Sequence, residues 1–332
     1  MVLLIIACLA FVASALSVRA AIPWLQRQGS VATENDRTMH KGVVPKGGGL
    51  PLLLSAIAAA ALLTHAAGLD PVMLAGLAIL VALSWRDDVA TLSARLRLLV
   101  HFAVAALFVL TLPAESRVFQ GLLPGWLDAI FAIVALTWMM NLYNFMDGIN
   151  GLAGAETVAI TVGYLLIGSI SATALQHETL AAAILGGTTG FLIWNLREKA
   201  LVFLGDVGSI PLGFLMGVLM LDLAVKGYWA AALILPAYFI ADATMTLALR
   251  TARAENVWEA HKTHFYQRAA QRLGSHVLVV AAVSIANLLL VTAAPLSLAA
   301  PWQSLAAAAV VIAVLLFTLN RAATPQSSDS DS

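Results

Sequence analysis

The chain has 332 residues, 61% of them hydrophobic and only 11% charged, where a soluble domain carries about 25% charged residues. Its formal net charge is zero, which removes any electrostatic case for a nucleic-acid partner. The single cysteine, Cys8, excludes an intrachain disulfide and reads as a packed membrane thiol.

Apolar runs of the roughly 20 residues needed to span a bilayer recur along the chain. They predict an all-α polytopic integral membrane protein with about eleven transmembrane helices, ten being the alternative count. The expected spans are 2–22, 48–67, 71–86, 97–113, 124–142, 152–171, 179–195, 207–224, 228–249, 276–294 and 302–320. The first run has no basic segment ahead of it, so it reads as an uncleaved helix although Ala13-Ser14-Ala15 resembles a cleavage site. One membrane-embedded domain over 1–322 is followed by a polar, Ser/Asp-rich tail over 323–332, expected to be disordered.

Positive charge orients these spans. Of the 18 basic residues, only Arg117 and Lys226 fall on the side that holds the N-terminus; the other sixteen fall on the opposite side. The second side is therefore expected to be cytoplasmic, with the N-terminus periplasmic and the C-terminus cytoplasmic.

The polar motifs gather on the loops of that same side. In RTMHKGVVPKGGG, Lys46 precedes Gly47–Gly49, whose amides could approach an anion at a helix N-terminus; a flexible loop–helix junction is the plain reading. WRDDVATLSARLR holds adjacent Asp87 and Asp88, which would favour a cation or push one carboxyl toward general-base use. Arg95 and Arg97 follow and could grip phosphate oxygens.

NLYNFMDGINGLAG joins two apolar spans yet carries amides, an acid and glycines. Irregular backbone of this kind is tolerated at membrane depth only where it lines a protein-enclosed or watery site. Asn144 and Asp147 would share a face if the stretch were helical, and oxygen ligands of this type suit a hard cation such as Mg²⁺. In FLGDVGS, Asp206 sits between Gly205 and Gly208, as a metal ligand or a helix N-cap. His261, His264 and Arg268 in HKTHFYQR are spaced to share a helix face and grip a diphosphate, or to form an interfacial amphipathic helix. Asp242, within a span, is a functional candidate or a hydrogen-bonded packing acid. Asp128 and Asp222 read as interfacial on the other side. Acids, amides and histidines clustered at one face argue for an enzyme rather than a transporter, whose ionisable residues concentrate at the midplane.

The segments RTMHKGVVPKGGG, RDDVATLSARLRLL, NLYNFMDGINGLAG, FLGDVGS and HKTHFYQR, spread over residues 37–268, together resemble the polyprenyl-phosphate N-acetylhexosamine-1-phosphate transferases, glycosyltransferase family 4. The resemblance implies transfer of a sugar 1-phosphate from a UDP-sugar to undecaprenyl phosphate with release of UMP, at the cytoplasmic face of a bacterial inner membrane. It implies Mg²⁺, with Mn²⁺ as a substitute, on Asp206, and Asn144 as a second ligand or a partner of the first. Asp87 and Asp88 match the family's paired catalytic aspartates, with Asp87 the candidate base; direct attack and a phospho-enzyme both stay open. Asp147 and Asn150 match substrate-shaping positions, Lys46 and Arg97 match positions that face phosphates, and His261, His264 and Arg268 match a loop for diphosphate and sugar recognition. The partners implied are the UDP-sugar, undecaprenyl phosphate and the bilayer, with a homodimer left open. The HKTHFYQR form resembles the branch that initiates O-antigen or other surface polysaccharides. Phospho-MurNAc-pentapeptide transfer is the alternative within the same chemistry, and a membrane transporter or flippase is the alternative of another class.

Overall fold

The computed structural model describes residues 1–27, 31–32, 44–64, 69–89, 92–256 and 262–323, with the backbone alone for Val31, Ala32, Thr64, Asp88 and Val89. His261 and the tail beyond Ala323 lie outside the described residues. The described residues are mostly helical. In order come α1 (Val2–Arg27), the two-residue strands β1 (Val31–Ala32) and β2 (Val44–Pro45), α2 (Gly49–Thr64), α3 (Pro71–Val89), α4 (Ala94–Leu110) and α5 (Gly125–Phe145). Then follow α6 (Leu152–Ile170), α7 (Glu178–Asn195), α8 (Asp206–Val225), α9 (Trp229–Ile234), α10 (Ala237–Ala252), α11 (Phe265–Leu273), α12 (His276–Leu296) and α13 (Pro301–Ala322). β1 and β2 pair antiparallel.

Six of these helices, α1, α5, α6, α8, α12 and α13, are long and apolar enough to cross a membrane. The expected span 207–224 turns out to be the centre of the molecule. Every residue of α8 from Val207 to Ala224 is buried, as a helix apolar on all faces must be. It packs against α5, α3, α2, α6 and α9. Where helices meet without water to drive them together, small residues allow close approach. A Cβ on Gly186 of α7 would stand 2.0 Å from the Ala7 carbonyl oxygen of α1.

The structure corrects several expectations. The span 228–249 is not one helix but α9 and α10, broken at Leu235–Pro236. Pro236 has no N–H and its ring clashes with the preceding turn, so the helix restarts with Pro236 as its N-cap. Cys8 lies on the exposed face of α1 rather than packed. Asp128 and Asp222 are both buried by the protein. Asp128 accepts the Val118 and Phe119 N–H groups at 3.1 and 2.9 Å, and Asp222 accepts the Gln176 N–H at 2.8 Å and the Tyr164 hydroxyl. Each carboxylate ties down a loop at the end of the bundle away from Asp206.

Candidate active site

The site is built where two loops run side by side. Phe203 N–H donates to Pro45 O at 2.8 Å, while Gly47 and Gly48 N–H donate to Phe203 O at 3.2 and 2.9 Å and Gly49 N–H donates to Leu204 O at 3.0 Å. Lys46 and Phe203 form a parallel bridge. This pairing overturns the anion-cradle reading of Gly47–Gly49, because all three amides are spent on carbonyl oxygens. The glycines are needed for proximity instead. A Cβ on Gly49 would sit 2.1 Å from the Gly208 Cα, and Gly205, at φ +75°, adopts backbone that side chains resist. The result holds Lys46 beside the first turn of α8, which opens with Asp206; Gly205, not Asp206, is the N-cap.

Asp206 is engaged from two sides. Asn144, on the last turn of α5, donates its Nδ2 to Asp206 Oδ1 at 2.9 Å and to Ser209 Oγ at 3.3 Å. Arg97, on the first turn of α4, reaches Asp206 Oδ2 at 3.7 Å and Asp87 Oδ2 at 2.8 Å. Asp87 also accepts the Leu92 N–H at 2.5 Å. The second aspartate of the pair, Asp88, has its side chain outside the described residues.

Asp147 does not share a helical face with Asn144, because α5 ends at Phe145 and Asp147 lies in the turn beyond. The turn brings it to the same place. Burial first, and the Asp206 charge second, push the Asp147 carboxyl well above its ordinary value; Lys46 and the Gly205 N–H pull the other way. Three carboxylates, Asp87, Asp147 and Asp206, thus face two cations, Lys46 and Arg97. Fully ionised, the group carries one excess negative charge.

The remaining candidates are placed elsewhere. Asn150 is buried and gives its amide to the Arg197 and Glu198 carbonyls at 2.7 and 3.4 Å, which fastens the 146–151 turn to the end of α7. Asn195 closes the same joint by accepting the Gly151 N–H at 2.7 Å. His264 and Arg268 do not present one grip, because α11 begins at Phe265 and His264 is its N-cap. Arg268 turns toward α13, donating to Asn320 Oδ1 at 2.9 Å and lying over the Phe265 ring at 4.9 Å. The buried His264 ring meets Asp242 at 3.1 Å through Nδ1.

Two features escape the sequence reading. Ser209 joins Asn144 only through the helical turn after Asp206. Glu156 is fully buried in α6 and accepts the Asn287 amide of α12 at 2.7 Å. An acid inside an otherwise apolar run was the available signal for Glu156.

No three His, Cys, Asp or Glu side chains converge on one metal position among the described residues. That does not tell against Mg²⁺, which takes one or two carboxylates and completes its shell with water and substrate phosphates. The donor set fits: hard oxygens on Asp206 and Asp147, an excess negative charge, and an amide that orients Asp206.

The fold and this site define the class, a multi-pass helical membrane protein with a charged, oxygen-rich centre at one end of its bundle. Residues 71–224, from α3 through α8, match the model of glycosyl transferase family 4. The chain is 25% identical over 316 residues to a probable undecaprenyl-phosphate N-acetylglucosaminyl 1-phosphate transferase of Bacillus subtilis, covering 89% of this chain and 86% of that protein. It is 32% identical over 218 residues to a phospho-N-acetylmuramoyl-pentapeptide-transferase of Picosynechococcus, covering 58% of this chain and 57% of that one. A Moorella thermoacetica protein of the latter name is 38% identical over 97 residues, 29% of each chain.

Proposed function

We propose that the chain transfers an N-acetylhexosamine 1-phosphate from a UDP-sugar to undecaprenyl phosphate, releasing UMP, and so starts the assembly of a surface polysaccharide such as O-antigen. The reading places the site at the cytoplasmic face of a bacterial inner membrane, since the basic residues that flank it follow the positive-inside pattern. The observation that carries it is the convergence of Lys46, Asp87, Arg97, Asn144, Asp147 and Asp206 from five separate segments onto one place. Likeness to the Bacillus protein over most of both chains supports this donor class.

The chemistry asks for the formation of one bond and the cleavage of another. A phosphate oxygen of the lipid attacks the sugar-linked phosphorus of the donor, and the bond from that phosphorus to the bridging oxygen breaks, so the bridging oxygen leaves with UMP. Mg²⁺ on Asp206 and Asp147, replaceable by Mn²⁺, would supply charge neutralisation at the diphosphate. Arg97 and Lys46 disperse the charge of two anionic substrates that repel each other. Asn144 fixes the direction of the Asp206 carboxylate. Asp87, held by Arg97 and the Leu92 amide, is the group poised to take a proton from the lipid phosphate. A lipid acceptor explains why such a site is set among apolar helices.

Phospho-MurNAc-pentapeptide transfer is the second reading, favoured by the names of the relatives that match over shorter segments. UMP release measured with UDP-GlcNAc and with UDP-MurNAc-pentapeptide, each with undecaprenyl phosphate and Mg²⁺, separates the two. Turnover with UDP-GlcNAc or another simple UDP-N-acetylhexosamine alone supports the first reading, and turnover with the pentapeptide donor alone refutes it.

A further inference from the structure

Asp242 of α10 is fully buried, yet both of its oxygens are crowded with donors. Oδ1 accepts the Phe265 N–H at 3.1 Å and the Thr246 hydroxyl at 3.3 Å, and it faces His264 Nδ1 at 3.1 Å. Oδ2 accepts the Tyr266 N–H and the Tyr238 hydroxyl, both at 3.2 Å. Two of these donors are the first backbone amides of α11, which have no partner inside their own helix. A buried acid is thereby the anchor for a nine-residue helix that begins 23 positions later in the chain.

The anchored helix does not end the chain of contacts. Tyr266, itself fully buried, donates its hydroxyl to the Phe145 carbonyl at 2.8 Å, and the Gly148 N–H is directed at its phenol oxygen. Gly148 has no room for a side chain, since a Cβ would lie 2.2 Å from the Tyr266 hydroxyl. The His264 ring stacks on Phe145 with centroids 6.4 Å apart. Phe145 and Gly148 bracket the turn that carries Asp147.

We propose that Asp242 is a positioning residue for the site, acting through α11 and Tyr266 to fix the turn 145–148 and so the place of the Asp147 carboxylate. Asp242 touches no reacting group. Its two oxygens set the start of α11, the start of α11 sets the Tyr266 ring, and the ring sets the turn. Replacing one acceptor oxygen by an amide NH₂ puts a donor against a donor and releases the first link. Removing the Tyr266 hydroxyl releases the last link and leaves the aromatic packing in place.

The kinetic part of this proposal rests on the transferase reading; the structural part does not. The test uses the full-length protein in detergent as wild type, Asp242→Asn, Tyr266→Phe and the double variant. Amide hydrogen exchange is followed at residues 146–151 and UMP release is measured alongside. Each single variant is expected to speed exchange in that turn and to lower kcat by about tenfold, the size of effect seen when the partner of a site residue is lost. The double variant is expected to be no worse than Asp242→Asn, because both changes cut one chain of contacts. Unchanged exchange at 146–151 in both single variants overturns the proposal, as do losses that multiply in the double variant. If Asp242→Asn does not fold, Tyr266→Phe decides alone: faster exchange supports the proposal and unaltered exchange refutes it. A wild type that releases no UMP with any donor would defeat the transferase reading, and the exchange comparison would still judge this one.

Discussion

Asn144 and Asp206 are 62 residues apart in the chain and 2.9 Å apart in space, with the amide of the one donating to the carboxylate of the other. The bond joins the last turn of α5 to the first turn of α8, so it both closes the site and fixes which way the Asp206 carboxylate points. Arg97 takes the opposite oxygen of Asp206 at 3.7 Å, leaving the carboxylate held from each side.

Asn144→Ala should therefore weaken the site without emptying it. Asp206 keeps its charge and loses its direction, so half-saturation by Mg²⁺ should rise by about 10- to 100-fold. Asp206→Asn removes the charge, and turnover should vanish with membrane insertion intact. A titration of UMP release against Mg²⁺ concentration checks both variants. Equal Mg²⁺ dependence in Asn144→Ala and wild type would show that the amide orients nothing.

Arg97 bridges two acids through one guanidinium nitrogen, Nη1, which lies 2.8 Å from Asp87 and 3.7 Å from Asp206. Arg97→Lys keeps the charge but gives up the planar guanidinium and its fixed donor geometry. Turnover should fall by about tenfold or more in Arg97→Lys and further in Arg97→Ala. Full activity in the lysine variant would mean that only the charge counts.

Much of this site was legible in the sequence, because Asp206, Asn144, Arg97 and Lys46 sit in short motifs whose residue types already suggest cations and phosphates. What failed depended on long-range pairing or on element boundaries. The Gly47–Gly49 amides look free in the sequence; their partners are Phe203 and Leu204, more than 150 positions away. The face expected for His264 and Arg268 required a helix running through both. Asp242 binds at the start of that segment, so the helix begins at Phe265 and Arg268 turns to α13. The long span 228–249 carried its own contradiction in Pro236.

Asp147 predicts a pH dependence of stability. Its folded carboxyl titrates above the ordinary value of 3.8, owing first to burial and then to Asp206. A group raised in this way stabilises the fold fully below its unfolded pKa, and the contribution is lost as pH rises through the folded one. In EDTA, the thermal midpoint should drop from mildly acidic to mildly alkaline pH in the wild type and drop less in Asp147→Asn. Mg²⁺, which favours the ionised form, should raise the wild-type midpoint more at the alkaline end. Identical pH profiles for the two proteins would contradict this account of Asp147.

Glu156 and Asn287 join α6 to α12 inside the bundle. Asn287→Leu takes from a buried acid its side-chain donor and should cost about 1–3 kcal/mol. Changing both residues to Leu should recover most of that loss, since apolar packing replaces the pair. Thermal midpoints of the single and double variants check this, and a double variant no more stable than Asn287→Leu would count against it.

The measurement that tests the central claim most directly follows a UDP-N-acetylhexosamine labelled at its sugar-linked phosphorus. Purified protein, undecaprenyl phosphate and Mg²⁺ are mixed with it, and label is counted in the organic-extractable lipid for wild type and Asp206→Asn, with and without EDTA. The account predicts label in lipid, matched by UMP in solution, for the wild type with Mg²⁺ alone. Label reaching lipid equally well in Asp206→Asn, or in EDTA, would contradict it.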